Sequence, residues 1–256
     1  GCGRNKQFPA HVKMNRNREH NMPKSDDRPT FVLVHGAYHT SETWRHLQRE
    51  LSARGWKSQA ADMPSAGKHD GPDAGLYDDA EALAARLRSI DGPVVVVGHS
   101  HAGLTLTELG GDHPNLLHLV YLAAFMPPEG ESAGSLSGFP IPEVQTGPAP
   151  TMPDPRAALY GELSDEEAAD EVGRLVDQSL LSCCQPTTRA SWRTVPSTYV
   201  LCEEDRAMSP AAQETFALNA TNIKRLKTAH SPHLSSPEQL AGLLVEIGTA
   251  AAAEKA

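Results

Sequence analysis

Residues 94 to 103 read VVVVGHSHAG. Four consecutive β-branched residues leave no polar alternation, so the segment suits a strand covered on both faces, as in a parallel sheet with helices above and below. The strand runs into Gly98-His99-Ser100-His101-Ala102 and then into a helical stretch, Leu104 to Leu109. Small residues at both ends of that pentapeptide let the chain turn sharply and hold Ser100 in a strained conformation with its hydroxyl above the sheet edge, the pattern G-x-S-x-G. Ala102 stands where that pattern has its last glycine, with Gly103 after it, and alanine is small enough for the turn. The same turn begins a helix, so the backbone N–H of His101 points toward charge developing on a substrate oxygen. An ordinary strand-to-helix turn is the competing reading.

The rest of the chain supplies a sheet for this strand to join. From Thr30 onward short apolar runs alternate with amphipathic stretches, the signature of strands joined by helical crossovers. Strands are expected at Thr30–Val34, Trp56–Asp62, Val94–Val97, Leu116–Ala123, Ser197–Leu201 and Ile223–Lys227, and helices at Ser41–Arg54 and Leu76–Ile90. Ser164-Asp165-Glu166-Glu167 and Ser236-Pro237-Glu238-Gln239 both fit the capping box. The predicted fold is α/β, a mostly parallel central sheet with helices on both faces. Residues 30–126 and 194–256 form its core. Between them a proline-rich stretch is followed by an acidic helix from Ser164 to Leu181, and residues 127–193 read as a cap over a site built by the sheet.

Composition narrows the partners. With 256 residues and a formal charge of -9, the chain suits one α/β domain and lacks the clustered Lys and Arg that nucleic acid requires. Its longest apolar runs, Pro93–Val97 and Leu116–Met126, are too short to span a bilayer. Residues 1–29 form a polar leader without the apolar core of a signal peptide. Met14 and Met22 are candidate natural starts. Cys2, Cys183, Cys184 and Cys202 spell neither a disulfide framework nor a metal-ligand spacing, so a reducing, cytoplasmic compartment is expected. A homodimer is compatible with the sequence, which does not fix the oligomeric state.

A nucleophilic serine needs a base, and the base needs an orienting carboxylate, in the chain order serine, acid, histidine. Strand Ser197–Leu201 is followed by Cys202 and then Glu203-Glu204-Asp205, at the carboxyl end where ligand-handling residues of open α/β sheets gather. Asp205 is the preferred acid because the chain must leave the strand before turning, with Glu204 as the fallback. After strand Ile223–Lys227 come His230 and His233. His230 is nearer the strand end and is the preferred base; His233 either competes or lines the pocket. A pair of metal ligands is the weaker alternative, since HxxH lacks a nearby third ligand, and no metal or other cofactor is expected. The second oxyanion donor falls to Ala37, because Gly36 lets the backbone approach the site closely. His35 is expected to bond loop backbone, and His99 and His101 to pack.

These residues resemble a known family. FVLVHGAY, DMP at 62–64, GHSHAG, LVYLAAFMPPEGES, TYVLCEEDRAMSP and AHSPHLSSPEQL together look like the α/β-hydrolase branch of small bacterial carboxylesterases, plant methylesterases and hydroxynitrile lyases. The resemblance spans about Thr30 to Gly248. It implies Ser100 as nucleophile, Asp205 as acid, His230 as base, and Ala37 and His101 as oxyanion donors. It places His233 where relatives often carry an apolar pocket residue. The lyases have Thr and Lys at the positions held here by Gly36 and Ser231, so the resemblance favours hydrolysis of small to medium hydrophobic esters. Lactonase or lyase chemistry and a ligand receptor with little turnover are the alternatives. Gly36, Phe139, Tyr160, Ser231 and His233 are the pocket candidates, and the expected partner is a small-molecule ester.

Overall fold

The computed structural model describes residues 28–67 and 73–255. Nearly all of the leader lies outside them; of its described residues, Arg28 sets its guanidinium 5.4 Å from the Trp56 ring centre. Six strands, β1 (Thr30–Val34), β2 (Ser58–Ala61), β3 (Val94–His99), β4 (Leu116–Leu122), β5 (Ser197–Cys202) and β6 (Asn222–Leu226), form one sheet in the order β2-β1-β3-β4-β5-β6. Every adjacent pair is parallel.

The helices in chain order are α1 (Arg45–Ala53), α2 (Leu76–Arg88), α3 (Ala102–Glu108), α4 (Ala133–Leu136), α5 (Pro155–Leu159), α6 (Asp165–Gly173), α7 (Leu180–Cys184), α8 (Pro210–Ala217), α9 (Pro232–Ser235) and α10 (Pro237–Lys255). The pleat of β3 explains its apolar run. Val94 and Val96 pack with Val32, Leu83, Leu87 and Leu106, beneath α2 and α3. Val95 and Val97 face the opposite core of Phe31, Leu47, Leu240 and Leu244, beneath α1 and α10. Both faces are therefore dry, as a parallel sheet requires. The outer strand β6 exposes Lys224 and Arg225, charges that discourage pairing with another chain along that edge.

Several boundaries differ from the sequence expectation, each for a local reason. Strand β2 begins at Ser58 rather than Trp56, because the Trp56 N–H bonds back to the Leu51 C=O at 3.0 Å to close the turn after α1. Residues Ser41–Trp44 form a 3-10 turn ahead of α1 rather than its first turn. The expected helix Ser164–Leu181 stops at Gly173. Beyond it the Val176 N–H donates to the Tyr38 C=O at 2.9 Å and the Ser179 N–H to the Ser65 C=O at 2.8 Å, so contacts with the core claim the backbone that a longer helix would use. The Ser164 capping box forms, with Ser164 Oγ accepting from the Glu167 N–H and Glu167 Oε2 accepting from the Ser164 N–H. At Ser236 the junction is made by backbone instead, its N–H donating to Pro232 and its C=O accepting from Leu240.

The sheet order places the site. The chain runs from β1 outward to β2 and returns to β3 on the other side of β1, so the winding reverses between β1 and β3, at whose carboxyl ends open α/β sheets hold their ligands. Val34 pairs with Gly98 across this point. The segments His35-Gly36-Ala37 and His99-Ser100-His101 thus leave the sheet side by side.

Candidate active site

Ser100 has φ +56°, a left-handed conformation that a residue with a β-carbon adopts only when its surroundings enforce it. Its N–H donates to the Leu122 C=O at 3.1 Å, and its C=O accepts from Gly103 at 3.1 Å and Phe125 at 3.2 Å. The turn is crowded. A β-carbon at Gly98 would lie 2.6 Å from Leu106 Cδ1, and one at Gly103 would lie 1.9 Å from the Phe125 carbonyl oxygen. Ala102 is buried with its methyl in the core, so the position that admits no side chain is Gly103.

Gly36 brings the loop after β1 against this turn: a β-carbon there would stand 3.2 Å from Ser100 Cβ. Among the described residues neither the Ala37 N–H nor the His101 N–H has a hydrogen-bond partner, which leaves both donors free beside Ser100. His35 is buried with Nδ1–H donating to the Gly36 C=O at 2.9 Å and Nε2 accepting from the Met63 N–H at 3.1 Å. Both ring nitrogens serve loop backbone, and burial lowers its pKa.

Asp205 and His230 meet at the ends of β5 and β6. His230 Nδ1 lies 2.6 Å from Asp205 Oδ2, with both side chains buried. The carboxylate is fully used: Oδ1 accepts from the Ala207 and Met208 N–H groups at 2.8 and 2.9 Å, and Oδ2 also accepts from Gln213 Nε2 at 3.0 Å. Glu203 and Glu204 are exposed. His99, one residue before Ser100, donates from Nε2 to the His230 C=O at 2.8 Å and so ties the serine turn to the loop of the histidine. Among the described residues no hydrogen bond joins Ser100 Oγ to His230 Nε2, a contact that in unliganded sites often tightens only when substrate binds.

His233 goes elsewhere. It is fully buried beside His99, with ring centres 4.7 Å apart, packs tilted against Trp44 at 4.6 Å, and sets Nε2 3.0 Å from Thr43 Oγ. Burial and the neighbouring histidines hold both His99 and His233 well below the usual imidazole range, so they stay neutral beside His230. Burial likewise pushes His101 down to about 4. Ser231 is buried. Phe139, three residues beyond α4, is 39% exposed.

Tyr160 is buried, and its hydroxyl lies 2.7 Å from Nε2 of His39. His39 and Gln178, which also adjoin the Ala37 loop, belong to no motif, and Tyr38 ends the FVLVHGAY stretch without its partners being readable from it; the contacts join residues 112 to 140 positions apart. A cavity of about 270 Å³ lies beside this loop, walled by Tyr38, Met152, Leu159, Leu175 and Val176. A larger one of about 840 Å³ sits at the far end of α3 against residues 108–113 and 189–194. It touches neither Ser100 nor His230, and size alone gives it no chemistry. Among the described residues no three His, Cys, Asp or Glu side chains gather as a metal site, and no helix is long and apolar enough to cross a membrane.

Comparison with known proteins gives the family and the fold. The sequence profile described as "Alpha/beta hydrolase family" matches residues 31–243. The chain is 28% identical to "Alpha/beta hydrolase nvfD" of Aspergillus novofumigatus, covering 82% of this chain and 93% of that one. It is 27% identical to Methylesterase 1 of Arabidopsis thaliana, covering 88% and 98%. Among solved structures, polyneuridine aldehyde esterase superposes with a TM-score of 0.71 at 23% identity, covering 86% of this chain and 99% of that one.

Proposed function

The chain belongs to the alpha/beta hydrolase family, and on that premise we propose that it is a serine hydrolase cleaving small to medium hydrophobic carboxylic esters through an acyl-enzyme intermediate. The observation that carries the reading is the Asp205–His230 pair, buried and 2.6 Å apart, at the same end of the sheet as a serine held at φ +56°. The similarity to a protein named methylesterase supports ester chemistry.

In this reading His230 Nε2 takes the Ser100 proton as Oγ attacks the ester carbonyl. Asp205 accepts from Nδ1–H, fixes the tautomer that leaves Nε2 free, and stabilises the imidazolium as it forms. The unengaged N–H groups of Ala37 and His101 receive the developing oxyanion. The proton passes from His230 to the leaving alcohol, and water then repeats the sequence on the acyl-enzyme. The insertion 127–193 acts as the cap, offering apolar surface to the substrate; the Met152, Leu159 and Leu175 side chains fit a hydrophobic acyl or alcohol group.

The test is hydrolysis of short and medium p-nitrophenyl esters by the wild type and by Ser100→Ala. The wild type is expected to turn over with release of acid, and the variant to fold normally while losing on the order of 10⁴-fold or more of that activity. A folded wild type showing neither turnover nor a burst rules the reading out.

A further inference from the structure

The loop that carries the Ala37 donor is fastened from outside the sheet. The peptide unit joining Ala37 to Tyr38 is held at both ends: its C=O accepts from His39 Nδ1–H at 2.8 Å, and its N–H donates to Gln178 Oε1 at 3.2 Å. A carbonyl can only accept, so the proton of neutral His39 sits on Nδ1 and the Nε2 lone pair must accept. Tyr160 supplies that donor from 2.7 Å. Burial pushes the His39 pKa down to about 4, so this tautomer holds at neutral pH.

The next residue is gripped as well. The Tyr38 C=O accepts from the Val176 N–H at 2.9 Å, and its phenol donates to the Pro150 C=O at 2.5 Å. Tyr38 has φ +65°, which a tyrosine leaves unless its contacts over-determine it. Tyr160, Gln178, Val176 and Pro150 all belong to the insertion between β4 and β5. Gln178 is itself immobilised, since Nε2 donates to Ser65 Oγ at 2.8 Å and to Ser182 Oγ at 2.7 Å.

We propose that Tyr160 and Gln178 are positioning residues of the oxyanion hole: through them the insertion fixes the peptide plane that follows Ala37, while His35 holds the Gly36 C=O of the preceding plane, which carries the Ala37 N–H, so that the two together set its orientation. The proposal rests on the serine-hydrolase reading above. Neither side chain needs to touch the substrate. Their effect is felt where charge develops on the carbonyl oxygen, so it weighs on the transition state more than on ester binding.

The experiment compares wild type, Tyr160→Phe and Gln178→Met in three measurements: p-nitrophenyl ester kinetics, inhibition by a trifluoromethyl ketone of matching chain length, and amide hydrogen exchange at Tyr38. Tyr160→Phe is isosteric and removes only the donor; Gln178→Met tests the other end of the same peptide unit. Each variant is expected to lose about tenfold or more in kcat with KM within about twofold. Ketone affinity, which depends on the same oxyanion contacts, should weaken in step with kcat/KM, and Tyr38 should exchange faster while core-strand amides keep their protection. An active wild type whose variants keep both kcat and ketone affinity overturns the proposal, whatever happens to thermal stability. Faster exchange without a kinetic effect overturns it too, by leaving the clamp purely structural. An inert wild type is a different failure: it removes the esterase reading and the catalytic role of the clamp with it.

Discussion

At Gly103 a single added methyl group would meet the Phe125 carbonyl oxygen at 1.9 Å, and backbone in the loop beyond β4 cannot step aside as a flexible side chain would. Gly103→Ala is therefore expected to destabilise the protein by about 3 kcal/mol or more, while Ala102→Gly costs about 1 kcal/mol; urea unfolding of the two variants checks the contrast, and equal losses would refute it. The G-x-S-x-G pattern points to the residue two after the serine as the tight position, yet the crowding falls one residue later. The sequence does not show this, because the obstructing carbonyl arrives from the loop beyond β4, 22 positions on. The acid and the histidine were more legible. Chain order and strand ends single out Asp205 among three consecutive acids, and Asp205 alone of the three is buried. The pairing of His39 with Tyr160 is illegible for the opposite reason: it spans 121 positions and belongs to no periodic pattern.

Elements were legible wherever side-chain periodicity and backbone demand agree. The apolar run of β3 is uninterrupted because helices cover both faces, so its residue types alone mark a buried parallel strand. The helix expected across Ser164–Leu181 shows where that logic ends. Its start is written locally, in Ser164 and Glu167, but its stop at Gly173 is set by bonds from Val176 to Tyr38 and from Ser179 to Ser65. The capping box gives α6 a measurable anchor. Ser164→Ala leaves the Glu167 N–H without its cap and should cost about 1 kcal/mol, read as a lowered urea midpoint with an unchanged slope. Because α6 packs Ala168 into a small cluster with Tyr160 and Leu159, the same variant tests whether fraying of this helix reaches the residue that holds His39. A stability unchanged within error would mean that α6 is held by packing alone.

Across the whole molecule, the joint between the sheet-borne core and the insertion contains a buried carboxylate. Asp79, on α2, accepts from the Ser65 N–H at 2.9 Å and from Ser65 Oγ at 2.5 Å, and Ser65 Oγ in turn accepts from Gln178 Nε2 at 2.8 Å. Burial outweighs these bonds and pushes the Asp79 carboxyl from the ordinary 3.8 up to about 7. A carboxyl whose folded pKa lies above its unfolded value holds its proton more firmly in the folded state. Below about pH 4 both states are protonated and the group adds no pH dependence; from pH 4 to about 7 the unfolded chain releases a proton that the folded protein keeps, so stability falls as pH rises; above about 7 both are ionised and the loss is complete. The full span corresponds to on the order of 4 kcal/mol. Asp79→Asn cannot titrate, so the difference in unfolding free energy, wild type minus variant, should decline steadily between pH 4.5 and 7.5 and then level off. Taking the difference cancels the other carboxylates, which titrate identically in both proteins. A difference that stays flat, or rises with pH, would show that Asp79 is ionised in the folded protein throughout, and that the hydrogen bonds from Ser65 overcome its burial.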